Sequence, residues 1–478
     1  MASHSTWSNY GKGEGDGEGK GKGKGKGKLK EEGKGKNKWN SHYGDGTGDK
    51  RYVSSSGEWS QDTRQNWKGS SAYKGKGGEK GTGKHVGKNK GQGKGKNLGG
   101  KAGDRGSKPT DDPDFVRLSV GSSLRGKTGS YTIQEYIASG TFSRVYRVSK
   151  APGGRRWGAG AKQEDTSAAE TSFAAKVMRA EDHYIQYTSN AQKEGDLLKT
   201  LQRQQEEAGQ PILTMQCFDS FPIEDDIGNP YICLALEWLQ VSLFDVVRST
   251  GNRGLHLSSV STVLRQLLQQ LAVLHANNCT HTDIKHKNCC VADSSHRFEK
   301  SSDGVDRAVL LRPDAKLIDY GNATFEGEAK VHPIHTKQFR APEVLINHKD
   351  GWGPASDIWT LGVTAAYLVS GRLLFDSHNA EQIAARMVDA LGPFPTEFLA
   401  GAKDGRVRKQ AEAAAKEGST PSLKSFLGFG KGSTASQMAN DEELCLDLLK
   451  RLLALSPTER ISAAEALNHP FVFARKSS

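Results

Sequence analysis

The run His281-Thr282-Asp283-Ile284-Lys285-His286-Lys287-Asn288 sets an acid, a lysine two positions later and an amide three beyond that on one short turn. A carboxylate held there can orient a hydroxyl group and accept its proton. A lysine beside it places a point charge near a transferring phosphate. The carbonyl oxygen of an asparagine is a ligand for a hard divalent cation. Asp319, in Lys316-Leu317-Ile318-Asp319-Tyr320-Gly321, adds a second oxygen ligand. Acid, cation and paired oxygens are the parts of phosphoryl transfer, in which a protein positions reactants and neutralises charge. A lone Asp-x-Lys is usually a surface ion pair, so this reading rests on all the parts occurring together and in order.

Elements must hold that turn. Val260, Leu264, Leu267, Leu268, Leu271 and Leu274 recur at helical spacing, and Asn277-Asn278 ends that helix just before the turn. Upstream, Tyr131-Thr132-Ile133, Val145–Val148, Phe173–Met178 and Tyr231–Trp238 read as strands. Thr188–Gln202 reads as a helix with Leu197, Leu198 and Leu201 on one face, and residues 151–170 as loop. Strands first and helices later predict an α+β, two-lobed layout over 131–473, with a small lobe to 240 and a larger one from 241. The polar, Gly/Lys/Ser-rich stretch 403–440 reads as a surface insertion, and helices resume at Glu442–Leu453 and Ser462–Leu467.

The chain has 478 residues and a net charge of +12, unevenly spread. Residues 1–110 hold 25 Lys+Arg against 11 Asp+Glu, or +14, and the remaining 42 against 44 give −2. Lysines alternating with glycine repel one another and raise the entropy cost of ordering, which predicts a disordered basic tail over 1–125. Trp7, Tyr10, Trp39, Tyr43, Tyr52, Trp59, Trp67 and Tyr73 interrupt it. Rings that stack on bases among lysines that meet phosphates fit weak, salt-sensitive RNA binding. A solvated tail serving solubility or nuclear import is the alternative. The six cysteines form no CxxC pair, which predicts a reducing compartment and neither disulfides nor a zinc knuckle. Cys289-Cys290 reads as a buried strand pair. No apolar run approaches a membrane span and no signal-peptide core opens the chain, so a soluble intracellular protein is expected.

The catalytic turn, Asp319-Tyr320-Gly321 and Arg340-Ala341-Pro342-Glu343, in this order, resemble a eukaryotic protein kinase from about Tyr131 to Phe473. His-Thr-Asp at 281–283, the helix Glu381–Met387 followed by Leu391–Pro395, Gly351-Trp352 before Asp357-Ile358-Trp359, and the insert Asp293–Pro313 resemble the LAMMER kinases.

The resemblance implies ATP and Mg2+ as cofactors. It makes Asp283, Lys285 and Asn288 catalytic and Asn288 and Asp319 the metal ligands. It assigns ATP contacts to Ile137, Ala138, Gly140, Ser143, Val145, Ala174, Lys176, Glu194, Glu237, Leu239 and Cys290. Lys176 is expected to reach the α/β-phosphates with Glu194 as its ion-pair partner, Leu236 to be the gatekeeper, Glu237–Leu239 the hinge, and Cys290 the adenine-pocket floor. Glu343 and Arg460 are expected to pair inside the larger lobe, and Thr336 to open the substrate-positioning loop.

Departures from the family pattern carry their own expectations. Ala138 and Ser143 replace two glycines of the phosphate loop, and each added Cβ crowds the approach to phosphate, predicting slower nucleotide handling. His286 replaces a proline, which predicts a looser turn. Thr282 replaces the arginine that in many kinases awaits a phosphorylated activation segment, predicting independence from that switch. The function expected is transfer of the γ-phosphate of MgATP to Ser/Thr of protein substrates, with Arg/Ser-rich splicing factors and tyrosine autophosphorylation implied by the resemblance. A monomer in the nucleus, or in nucleus and cytoplasm both, is expected. The alternative is a weak or inactive kinase-fold scaffold with an RNA-binding tail.

Overall fold

A computed structural model of the chain describes residues 118–139, 143–150, 171–179, 185–225, 228, 230–330, 332–418, 420, 422–431 and 436–473. The tail over 1–117, Gly140 and the 151–170 segment lie outside the described residues.

The first lobe is built on strands whose side chains alternate between two cores. They are β1 (Ser123–Arg125), β2 (Ser130–Ser139), β3 (Ser143–Lys150), β4 (Thr171–Arg179), then helix α1 (Ile185–Glu207), β5 (Cys217–Glu224) and β6 (Pro230–Glu237). They form an antiparallel sheet in the order β1-β2-β3-β4-β6-β5. Phe173, Ala175 and Val177 of β4 join Tyr231, Cys233 and Ala235 of β6 in one cluster, where Tyr131 stacks on Phe221 with centroids 5.8 Å apart. Met178, Leu234 and Leu236 fall in the other, against Leu197, Leu198 and Leu201 of α1. The period of two along a strand produces this division. The polar Lys176 sits on the α1 side of β4, between Ala174 and Met178.

The second lobe starts with β7 (Val241–Ser242), α2 (Leu243–Ser249) and α3 (Leu257–Ala276). The leucines at helical spacing along α3 are all buried, each worth about 1.5–3 kcal/mol relative to exposure. Its C-cap is Asn277, and Asn278 turns the chain with φ +53°, a conformation asparagine tolerates better than most residues. There follow β8 (Cys279–Thr280), β9 (Cys289–Val291), β10 (His296–Lys300), β11 (Asp306–Leu310), β12 (Ala315–Leu317) and β13 (Thr324–Phe325). After a 3-10 turn over Lys337–Phe339 come α4 (Pro342–Leu345), α5 (Ala355–Ser370), α6 (Ala380–Leu391), α7 (Thr396–Ala400), α8 (Gly405–Glu417), α9 (Leu423–Leu427), α10 (Ser436–Leu452), α11 (Ala463–Ala466) and α12 (Pro470–Phe473). Strands first and helices later thus give the expected α+β, two-lobed fold.

The structure corrects two readings from sequence and gives form to a third segment. Order starts before Tyr131: residues 118–125 are described, and β1 pairs with β2 because Leu124 is buried against Tyr131 and Ile133. The 293–313 insert is a hairpin, β10 paired with β11 from His296↔Leu310 to Lys300↔Asp306. The 403–440 stretch is more than a surface insertion. Within it α8 and α9 bury Val407, Ala411, Ala414, Leu423 and Leu427 in the main core. Apolar residues too widely spaced to mark a core in a polar sequence become one when a helix gathers them on one face.

Candidate active site

A strand pairing and a buried aspartate set the catalytic turn. β9 leaves the turn and pairs with β12, Cys289 opposite Leu317 and Cys290 opposite Lys316. The backbone bond Ile318 N–H to Asn288 O, 2.9 Å, continues that ladder, so Asp319 comes beside Asn288. Both cysteines are buried, as a strand pair should be. Below, buried Asp357 of α5 accepts the His281 N–H at 2.7 Å, the Thr282 N–H at 3.0 Å and a 3.1 Å contact from His275 Nε2. Burial alone would raise the Asp357 pKa; the bonds from His275 and His281 hold it below the usual carboxylate range. That anchoring sustains Thr282 at φ +71°, a costly conformation for a β-branched residue.

On the turn, Lys285 Nζ donates to Asp283 Oδ2 at 2.9 Å and to Thr336 Oγ1 at 3.0 Å. Thr336 returns its N–H and hydroxyl to Asp283 Oδ1 at 3.3 and 3.1 Å. Asn288 Nδ2 donates to the Asp283 carbonyl at 2.9 Å, which leaves the acceptor end of its amide outside these bonds. Acid, cation and hydroxyl thus meet at one point, where a substrate hydroxyl would have to lie.

The second centre spans the lobes. Lys176 Nζ lies 2.8 and 3.0 Å from the two Glu194 oxygens and 2.7 Å from Asp319 Oδ1. Glu194 Oε1 also accepts the Tyr320 N–H at 3.1 Å. Burial alone would lower the Lys176 pKa, but Asp319 and Glu194 hold it above the ordinary lysine value. For Asp319, burial is outweighed by Lys176, and its pKa falls below the usual range. Asp319 has φ +68°, and a Cβ at Gly321 would come 3.4 Å from Glu194 Oε2 and 3.7 Å from Asp319 Oδ1. Asn288 and Asp319 offer one carbonyl and one carboxylate to a hard cation. Among the described residues no group of three or more His, Cys, Asp or Glu could hold one alone. That donor set fits a divalent ion shared with nucleotide phosphates.

The sheet register collects the other expected nucleotide contacts. Ala138 is opposite Val145 and Val145 opposite Lys176, while Ala174, two residues from Lys176, shares its face. Ile137 lies near the end of β2 and Ser143 opens β3, while Gly140 lies outside the described residues. Leu236 is buried at the end of β6, and Glu237 and Leu239 start the passage between lobes. The Glu237 carboxylate is taken by Lys316 Nζ at 2.7 Å. Cys290 is buried on β9, its thiol pushed up to about 12 by desolvation. Glu343 and Arg460 pair as expected, Nη1 to Oε1 and Nη2 to Oε2 both at 2.8 Å, with both side chains fully buried.

His286 requires a correction. It does not loosen the turn. Its ring is packed with centroids 4.8 Å from Phe244, 5.1 Å from Phe339 and 4.3 Å from Tyr367, and its carbonyl accepts the Phe244 N–H at 3.1 Å. The gain in φ freedom that loss of proline gives is cancelled by aromatic packing. Desolvation, aided by Lys287 and Lys285, pushes its pKa down to about 3. The sequence marks Asp357 and Thr336 only by family resemblance, and gives neither the anchoring role of the first nor the bonding role of the second. An aspartate in an apolar helix, Asp357-Ile358-Trp359, was the available signal for the first.

A lysine held by two acids, one beside a carboxamide, under a β-rich lobe and above a helical one: this is the architecture of a protein kinase. The family described as protein kinase domain matches residues 131–472. The chain is 30% identical over 381 residues to serine/threonine-protein kinase AFC1 of Arabidopsis thaliana, covering 76% of this chain and 74% of that one. It is 27% identical over 384 residues to the probable serine/threonine-protein kinase clkA of Dictyostelium discoideum, covering 76% of this chain but only 37% of that one. It is 26% identical to dual specificity protein kinase CLK1 of Mus musculus, covering 72% and 66%. A crystal structure of a kinase domain superposes with a TM-score of 0.55 at 25% identity, covering 76% of this chain and 100% of that one. The chain belongs to the protein kinase family, and its relatives place it with the LAMMER type, serine/threonine and dual-specificity kinases that use ATP and a divalent metal.

Proposed function

We propose that this kinase transfers the γ-phosphate of ATP to serine or threonine hydroxyls with Mg2+ as its metal. The observation that carries the reading is the convergence of Glu194 and Asp319 on Lys176, assembled above the Asp283–Lys285–Thr336 cluster. Asp283 orients the acceptor hydroxyl and takes its proton as the oxygen attacks phosphorus. Lys285 offers positive charge to the transferring group, and its second bond, to Thr336, fixes where that charge stands. Lys176, oriented by Glu194, binds the α/β-phosphates. Asn288 and Asp319 would hold the metal, which when bound would offset the charge of the phosphates.

Arg/Ser-rich splicing factors are the substrates we favour, and a nuclear monomer the form in which the enzyme acts. The support is resemblance to the LAMMER type together with the basic tail. No helix among the described residues is long and apolar enough to cross a membrane. Assay of wild type and Asp283→Ala on an Arg-Ser repeat peptide tests the enzyme reading: incorporation is expected only in wild type. Equal incorporation in both, or none in either, refutes it in favour of a scaffold. For the tail we propose weak RNA binding. Deleting residues 1–110 is expected to abolish salt-sensitive retention on RNA, and unchanged retention refutes that role.

A further inference from the structure

From Asn322 to Arg340 the chain carries two hydroxyl side chains, Thr324 and Thr336, and no serine or tyrosine. Thr324 Oγ1 donates to Asn322 O at 3.1 Å, and Thr336 Oγ1 serves Asp283. Segments of this kind can be ordered by an added phosphate that pairs with a cation. The family resemblance puts that cation at the position of Thr282, whose hydroxyl here donates directly to Asn322 O at 3.0 Å.

A fixed anion is nonetheless present. Glu328 Oε2 lies 2.6 Å from Lys193 Nζ and accepts the Phe325 N–H at 2.8 Å. The same ammonium lies 5.9 Å from the Phe325 ring centroid. Burial would raise the Glu328 pKa, yet Lys193 and the Phe325 N–H bring it below the usual range, so the carboxylate is charged at neutral pH. Lys193 immediately precedes Glu194 on α1. The other end of the segment is fastened to the larger lobe. Thr324 pairs with Thr280, Phe325 with Cys279, and the Glu326 N–H donates to Asn278 O at 2.8 Å. One short stretch therefore joins the strand before the catalytic turn to the residue beside Glu194.

We propose that Glu328 and Lys193 are a permanent latch, a carboxylate in the place of a phosphate, that holds α1 where Glu194 meets Lys176. Both are positioning residues, acting through Glu194. The proposal rests on the reading of Lys176 and Glu194 given above. The pair is about one-third exposed, at 32% and 38% of side-chain surface. Its effect on rate is accordingly modest, about 3- to 5-fold.

The test uses the full chain, treated with phosphatase, as Lys193→Ala, Glu328→Ala, the double variant and the exchanged pair Lys193→Glu with Glu328→Lys. Hydrogen exchange over 190–198 and 322–330 is read beside KM for ATP and kcat. Each single variant is expected to exchange faster in both segments and to raise KM for ATP about 3- to 5-fold. The double variant should be no worse than either single, and the exchanged pair should recover most of the loss. Melting points within about 2 °C of wild type would exclude general destabilisation. Additive losses, faster exchange confined to 322–330, or opening of wild-type α1 on phosphatase treatment would each overturn the latch. If wild type transfers no phosphate, the kinase reading fails, and the exchange data alone still decide the latch.

Discussion

Thr336 grips Asp283 with both its backbone N–H and its hydroxyl, at 3.3 and 3.1 Å, although 53 residues separate them. The hydroxyl also receives Lys285 Nζ at 3.0 Å, so one oxygen orders both the acid and the cation. Thr336→Val keeps the shape and removes the oxygen. A hydrogen bond to a charged group is worth about 1.5–3 kcal/mol, which predicts a fall in kcat of at least about 10-fold with KM for ATP little changed. Thr336→Ser should restore most of the rate. Steady-state kinetics on an Arg-Ser peptide checks both variants.

Asp357 bears on the same turn from below. Asp357→Ala leaves the His281 and Thr282 N–H groups buried without partners, and each orphaned donor costs about 1–3 kcal/mol. Loss of about 2–5 kcal/mol in unfolding free energy is expected, together with a fall in kcat, since Thr282 cannot be held at φ +71°. Denaturant titration of wild type and variant measures the first.

Glu343 and Arg460 form a pair with no solvent to share the charge. Glu343→Gln strands a buried guanidinium and should cost about 3–5 kcal/mol. Replacing both, as Glu343→Leu with Arg460→Met, should cost much less than the sum of the single changes. A double-mutant cycle in urea shows whether the coupling is as large as the geometry implies.

His335 gives a pH dependence with a definite sign. It is buried with φ +67°, and its Nδ1 accepts the Ala341 N–H at 3.4 Å. Desolvation lowers its pKa to about 3 from 6.5; Asp357 opposes the shift, and Arg340, Arg460 and His281 add to it. The unfolded chain therefore binds this proton first as pH falls. Its contribution is complete above pH 6.5 and is lost progressively below it, by about 2 kcal/mol at pH 5. His335→Asn, which tolerates the left-handed backbone, should flatten the stability curve between pH 6.5 and 5 by close to one proton. Melting curves across that range would register an unchanged slope as failure.

Local chemistry was legible along the chain. The leucine spacing of α3, the apolar runs of β4 and β6, and the short motifs that hold Lys176, Asp283 with Asn288, and Asp319 each rest on side chains a few residues apart, and each is visible to a reader of the string. What failed were features whose meaning depends on distant partners. His286 looked like a loosened turn because Phe244, Phe339 and Tyr367, which enclose it, lie far away in sequence. The 403–440 stretch looked superficial because Val407, Ala411 and Ala414 are sparse among polar residues, and only coiling into α8 makes them one face.

The sequence by itself determined the kinase family, the two-lobed order of elements and the residue types at the candidate site. Composition, periodicity and motif spacing are properties of short stretches, and they survive without knowledge of the fold. Tertiary structure decided the ion pairs and hydrogen bonds: Lys176 to Asp319, 143 residues apart; Thr336 to Asp283; Asp357 to the turn; Lys193 to Glu328. Electrostatic and hydrogen-bond energies depend on separations of a few ångströms and on the exclusion of water. Chain folding sets both, and spacing along the sequence sets neither.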